Sequence, residues 1–186
     1  MNEVVVQDEA LAVLEEYTVD HQSVGNGLHV VNAIELASAL SLKAVQAGVV
    51  VLNLTFAEDL CVRQGRVTGV VANRSGVGET LPIDPISLEA KAVLDATGHD
   101  AALVQMLRRR KLIQGPAAEQ SEGPMDAALG ESFVVERVTE VYPGLWISGM
   151  CVVATLGGPR MGPIFGGMLL SGKRAADLIA ETLSNE

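Results

Sequence analysis

The sequence predicts an α/β fold carrying a β-meander insertion. Two observations carry that expectation. The elements alternate in the order strand, helix, strand, hairpin, strand, helix, strand, helix. The interior also has almost no aromatic residues to draw on: 48% of the 186 residues are hydrophobic but only 3% are aromatic. Val, Leu, Ile and Ala must therefore build the core, a bias common where parallel strands are buried. The length allows one domain with a sizeable core, spanning residues 1–186, and is too short for two full ones.

The elements follow from local pattern. Residues 8–17 read as a short helix, with Leu11, Val13 and Leu14 on one face. A polar, glycine-bearing loop over residues 20–27 follows, then a short strand over residues 28–31. Asn32 stands at an N-cap position with Glu35 three residues on, a variant of the capping box. Ile34, Leu36, Ala37, Leu40, Leu42, Ala44 and Val45 supply the apolar stripe of the helix it opens, and Gly48 is the expected stop. Residues 49–55 form a continuous apolar run, read as a strand. Residues 60–63 and 67–72, joined at Gly65, read as a β-hairpin.

Residues 74–85 are rich in Gly, Ser and Pro and read as a loop. Residues 92–95 are expected as a buried strand that turns at residues 96–100 into a helix over 101–111. Residues 114–130 read as loop, Val134 with Val135 and residues 145–148 as strands, and residues 162–182 as a long closing helix carrying Phe165, Met168, Leu169, Ala175, Leu178 and Ile179. A dinucleotide-binding α/β domain opens with a strand leading into G-x-G-x-x-G and a helix. This sequence has no such motif, so the sheet it implies lacks a central strand.

The formal net charge of -10 argues against nucleic acid, which needs clustered Lys and Arg. The one basic run, Arg108, Arg109, Arg110 and Lys111, reads as a solvated helix end whose cations complement the macrodipole. Cys61 and Cys151 form no C-x-x-C pair and no disulfide framework, which makes a reducing cytoplasm the expected compartment. The first residues lack the basic and apolar regions of a signal peptide. No window approaches the roughly 18 apolar residues of a membrane span.

Four stretches taken together carry a resemblance. They are residues 83–91 (IDPISLEAK), 93–101 (VLDATGHDA), 143–150 (PGLWISGM) and 159–173 (PRMGPIFGGMLLSGK). With them the chain resembles the thiamine thiazole synthase family in its archaeal-type, sulfide-dependent form, from about Val4 to the end. The resemblance implies an FAD/NAD(P)-binding, Rossmann-like fold of the glutathione-reductase type, here as the C-terminal two-thirds without the dinucleotide-binding front. It also implies an activity: NAD is cleaved, condensed with glycine and combined with sulfide, assisted by Fe(II), to give an adenylated thiazole in thiamine biosynthesis. A homo-oligomer, commonly an octamer in the family, is implied as well. The rival expectations are a ribose-1,5-bisphosphate isomerase on the same scaffold and a non-catalytic remnant that keeps the oligomer-forming half.

Asp84 and His99 are the pair to weigh as metal ligands, since a carboxylate and an imidazole with open positions suit Fe(II). They lie on either side of an expected strand, and five or six extended residues span roughly 17–20 Å, which places them far apart within one subunit. The ordinary alternatives are a turn at Asp84 before Pro85, and a helix-start His99 satisfied by backbone. The resemblance implies that adjacent subunits each contribute one of the two ligands. Arg160, in a loop leading to the last helix, can hold a carboxylate in bidentate fashion; the resemblance assigns it the carboxylate of glycine, and the alternative is a surface arginine. It also makes Ala57, Pro82, Ile83, Asp84 and Met150 cofactor-contacting positions, although Ala57 and Met150 equally suit core packing. No single catalytic residue is singled out. Pro82 stands where family members that sacrifice their own sulfur have Cys, and neither Cys61 nor Cys151 falls there, so a sulfur-donating side chain is not expected. Gly166, Gly167 and Gly172 suit close approach, either of a phosphate or of neighbouring backbone.

Overall fold

A computed structural model describes residues 2–74, 85–114 and 122–185. Its first unit is a three-stranded antiparallel sheet in the order β1-β3-β2, from β1 (Glu3–Gln7), β2 (His21–Gly25) and β3 (Leu28–Asn32). Val4 lies opposite Val31 and Val6 opposite His29, so the period-two alternation of β1 turns one apolar face inward. A 3-10 turn (Asp8–Ala10) and α1 (Leu11–Glu16) follow β1 and bury Ala10, Val13 and Leu14, as the helical spacing predicts. The loop expected over residues 20–27 is corrected: residues 21–25 are strand. Every residue of β2 is exposed, so no apolar alternation marks it. The signal lay in Asn26-Gly27, whose φ values of +54° and +71° are those of a tight hairpin turn.

Helix α2 (Ala33–Gln46) is capped as predicted, with Asn32 Oδ1 accepting from the N–H groups of Ile34 at 2.9 Å and Glu35 at 3.2 Å. Glu35 does not close the box; its carboxylate accepts from the Asp20 N–H at 3.3 Å instead. The chain leaves the helix at Gly48. The strand expected over residues 49–55 is a second correction: no strand forms before Thr55, and Val50 and Leu54 are 80% and 73% exposed. A continuous apolar run becomes a buried strand only between partners, and none of the described residues pairs with it.

The Gly65 hairpin forms as expected, and a third strand over residues 86–89, which the local pattern does not mark, joins it to make the meander. β4 (Thr55–Arg63), β5 (Arg66–Arg74) and β6 (Ile86–Glu89) are successive antiparallel neighbours. The third sheet carries the parallel pairing: β7 (Val93–Asp95) runs parallel to β9 (Leu145–Ile147), and β8 (Thr139–Tyr142) lies antiparallel on the far side of β9.

Helices α3 (Ala102–Arg109), α4 (Ala127–Glu136), α5 (Met150–Leu156) and α6 (Gly166–Ser184) complete the described fold. Val134 and Val135, expected in a strand, lie in α4. Asp126 caps that helix through the Leu129 N–H at 3.1 Å, and Gly130 and Val134, four apart, share its buried face. The last helix begins later than residue 162. Residues 163–165 run instead beside β1, with the Phe165 N–H donating to Val5 O at 2.8 Å and the Val5 N–H to Pro163 O at 3.4 Å.

Two apolar clusters result. One joins Leu107, Leu145, Ile147, Val134, Val152 and Met161 around the parallel pair; the other joins Val4, Val6, Leu14 and Val31 with Phe165 and Leu169 of the α6 end. Each fully buried Leu or Ile contributes about 1.5–3 kcal/mol. Among the described residues no helix is long and apolar enough to cross a membrane.

Candidate functional site

The site is built outward from Asp95, the last residue of β7, which is fully buried. Its Oδ1 accepts from the Thr97 N–H at 3.0 Å and the Thr97 hydroxyl at 2.7 Å. Its Oδ2 accepts from the N–H groups of Leu103 at 2.9 Å and Val104 at 3.1 Å. One carboxylate therefore ties the strand end to the first turn of α3, satisfying donors that a helix start leaves orphaned. Thr97 Oγ1 in turn accepts from the Ala102 N–H at 2.7 Å. Between these ties the chain makes the 3-10 turn Gly98–Asp100 and passes through Ala101, a fully buried non-glycine residue at φ +41°. Such a conformation persists only where its surroundings fix it, and it clusters at functional sites. His99 rides on this turn with its side chain 56% exposed.

The end of β9 forms the adjoining wall. The Ser148 N–H donates to Asp95 O at 3.2 Å, and Gly149 follows at φ +61°, ψ -148°. That region is open essentially to glycine alone, and its N–H donates to Ser171 Oγ at 2.9 Å. Helix α5 starts there and packs against the Gly98–Asp100 turn, so buried Met150 opens the helix that backs His99.

The opposite wall is the loop before α6. The Gly123 N–H donates to Gly158 O at 2.8 Å, the Arg160 N–H to Pro124 O at 3.2 Å, and the Asp126 N–H to Arg160 O at 3.1 Å. These pairings pin residues 123–126 along the Arg160 loop and set Glu122 between two of the residues singled out from sequence. Glu122 Oε1 contacts His99 Nδ1, and Glu122 Oε2 lies 4.0 Å from Arg160 Nε. The structure thus brings His99 and Arg160 to one carboxylate. Asp84, Pro82 and Ile83 lie outside the described residues. Ala57 sits in the meander opposite Ala72, half-buried against the main core.

Two residues of this arrangement escaped the sequence reading. Asp95 had a signal, an acid at a strand end ahead of Thr97 and Gly98. Glu122 had none, because it stands in a stretch without period.

The remaining expectations resolve by packing. The basic run is not simply solvated: Arg108 donates to Thr155 O at 3.1 Å and Arg110 pairs with Asp59. Burial pushes the Asp59 carboxyl up, but hydrogen bonds from Arg110 and the Leu60 N–H outweigh it and hold the group below its ordinary value. Gly166 and Gly167 serve close packing: a Cβ on Gly167 would stand 2.8 Å from both Glu131 O and Val134 Cγ1. Buried Glu131 fills the start of α6, accepting from the Gly167 N–H at 2.7 Å, and burial pushes its carboxyl up. Gly172 faces open space. Burial, with the nearby charge of Asp95, pushes the Cys151 thiol far up, so it stays protonated.

As to a metal, an exposed imidazole suits Fe(II), and no partner among the described residues engages His99 Nε2. No three His, Cys, Asp or Glu side chains converge among those residues, so His99 would share a metal with groups outside them.

A parallel strand pair with a Thr-Gly-His turn at its carboxyl end and an arginine loop alongside defines a mixed α/β protein, and such folds bind small ligands outside the carboxyl ends of their parallel strands. Comparison with known proteins narrows this. The sequence profile of the Thi4 family matches residues 1–165, and the chain belongs to that family. It is 51% identical over 183 residues to the thiamine thiazole synthase of Thermococcus kodakarensis, covering 98% of this chain and 72% of that protein. The thiamine thiazole synthase of Pyrococcus abyssi is 46% identical, with coverage of 98% and 72%. The crystal structure of Thermovibrio ammonificans THI4 superposes with a TM-score of 0.92 at 41% identity, covering 99% of this chain and 72% of that one.

Proposed function

We propose that this chain forms the thiazole of thiamine from NAD, glycine and sulfide, with Fe(II) held by Asp84 and His99 and the glycine carboxylate received by Arg160. The observation that carries this reading is the meeting of His99 and Arg160 at one carboxylate, in a chain about half identical to a thiamine thiazole synthase.

Arg160 offers a guanidinium, 49% exposed in its side chain, on a loop fixed from both sides by backbone pairing. A planar fork there binds and orients a carboxylate. His99, 56% exposed in its side chain, has one ring nitrogen engaged and the other without a partner among the described residues. Bound iron would supply Lewis-acid polarisation of substrate oxygen or sulfur. Asp95 and Thr97 keep the turn rigid, so His99 need not be ordered when ligands arrive. Shared metal ligands imply a homo-oligomer.

The test is an anaerobic assay with NAD, glycine, sulfide and Fe(II), read by mass spectrometry. An adenylated thiazole dependent on all four components is the expected product. Turnover of ribose 1,5-bisphosphate without NAD or iron would contradict the reading in favour of an isomerase.

A further inference from the structure

We propose that Glu122 is the positioning residue of His99, holding the imidazole in the tautomer that presents Nε2 to a metal; the proposal rests on reading His99 as a ligand. A metal-binding histidine characteristically donates its second ring N–H to a carboxylate or carbonyl, which fixes both tautomer and ring orientation. Here the group against Nδ1 is Glu122 Oε1. A carboxylate only accepts, so the contact requires the proton on Nδ1, and in the neutral imidazole that leaves the lone pair on Nε2.

Both ends of the contact are anchored. The turn bearing His99 is tied through Thr97 to Asp95, and Glu122 adjoins the Gly123-to-Gly158 hydrogen bond. The Glu122 side chain is 22% exposed and that of His99 is 56% exposed, so the carboxylate lies on the inner side of the ring. Arg160, 4.0 Å from the other oxygen, gives the carboxylate a second reason to stay where it is. Glu122 would therefore couple the carboxylate-binding arginine to the metal-binding histidine through its two oxygens.

The experiment uses the full chain, with Co(II) as the spectroscopic probe and ¹⁵N NMR of the His99 ring in the metal-free protein. Wild type should show the Nδ1–H tautomer. Glu122→Ala should lose that preference and bind Co(II) about 10–100-fold more weakly. Glu122→Gln should restore much of both, because its amide oxygen accepts the same N–H. An unchanged tautomer in Glu122→Ala, or tighter Co(II) binding there, would overturn the proposal. If the tautomer responds but wild type binds no Co(II), the reading of His99 as a ligand is what fails, and the proposal falls with it.

Discussion

Residues 49–54 and the segment around β7 and β9 start from similar sequence and end differently. Both are mostly apolar. Leu145 and Ile147 are fully buried because β9 has β7 on one side, β8 on the other, and helices above. Val49, Val50, Val51, Leu52 and Leu54 are each about half exposed or more, with no strand beside them. Apolar composition makes a segment able to be a buried strand; hydrogen-bonded neighbours make it one.

The comparison can be broken most forcefully in the buried region. Ile147→Ala should destabilise the fold by about 2–5 kcal/mol, whereas Val50→Ala should stay within about 0.5 kcal/mol, both read by urea denaturation. Equal costs would show that residues 49–54 are buried in solution. Asp95→Asn comes next. The amide keeps an acceptor but presents N–H₂ where backbone donors need a partner, so a loss of about 1–3 kcal/mol is expected, together with weakened metal binding as the His99 turn loosens.

Arg160→Lys keeps the charge and loses the planar fork. It should raise the glycine concentration needed for half-maximal activity while leaving the melting temperature close to wild type. A large drop in thermal stability would recast Arg160 as a structural residue. The smallest effect concerns Glu131. Its carboxyl is pushed above the ordinary value by burial, so its favourable contribution is complete at acid pH and is lost as pH rises through the raised folded value. The stability of Glu131→Gln relative to wild type should therefore improve from pH 4 to pH 8; a flat difference would show that Glu131 is solvated.

How much was legible in the sequence divides along the same line. Local signals were readable: the Asn32 cap, the Gly65 hairpin and the strand-turn-helix at residues 93–109 all stand where spacing put them. Strand β2 was missed because an edge strand with both faces exposed shows no alternation. Val134 and Val135 misled because two β-branched residues suggest a strand, while the cap at Asp126 and burial at residues 130 and 134 decide for helix. At the site, His99 and Arg160 were named from sequence, and the structure places them together. Glu122, which joins them, could not be found that way. Its position depends on backbone pairing between residues 123–126 and 158–160, a contact across more than thirty residues that leaves no periodic trace.

The central claim is that His99 is the chain's anchor for a catalytic metal. The most direct test is anaerobic Fe(II) titration of wild type and His99→Ala, with folding checked by circular dichroism. Saturable, stoichiometric binding in wild type and none in the folded variant is the predicted result. Stoichiometric iron retained by His99→Ala would contradict the account.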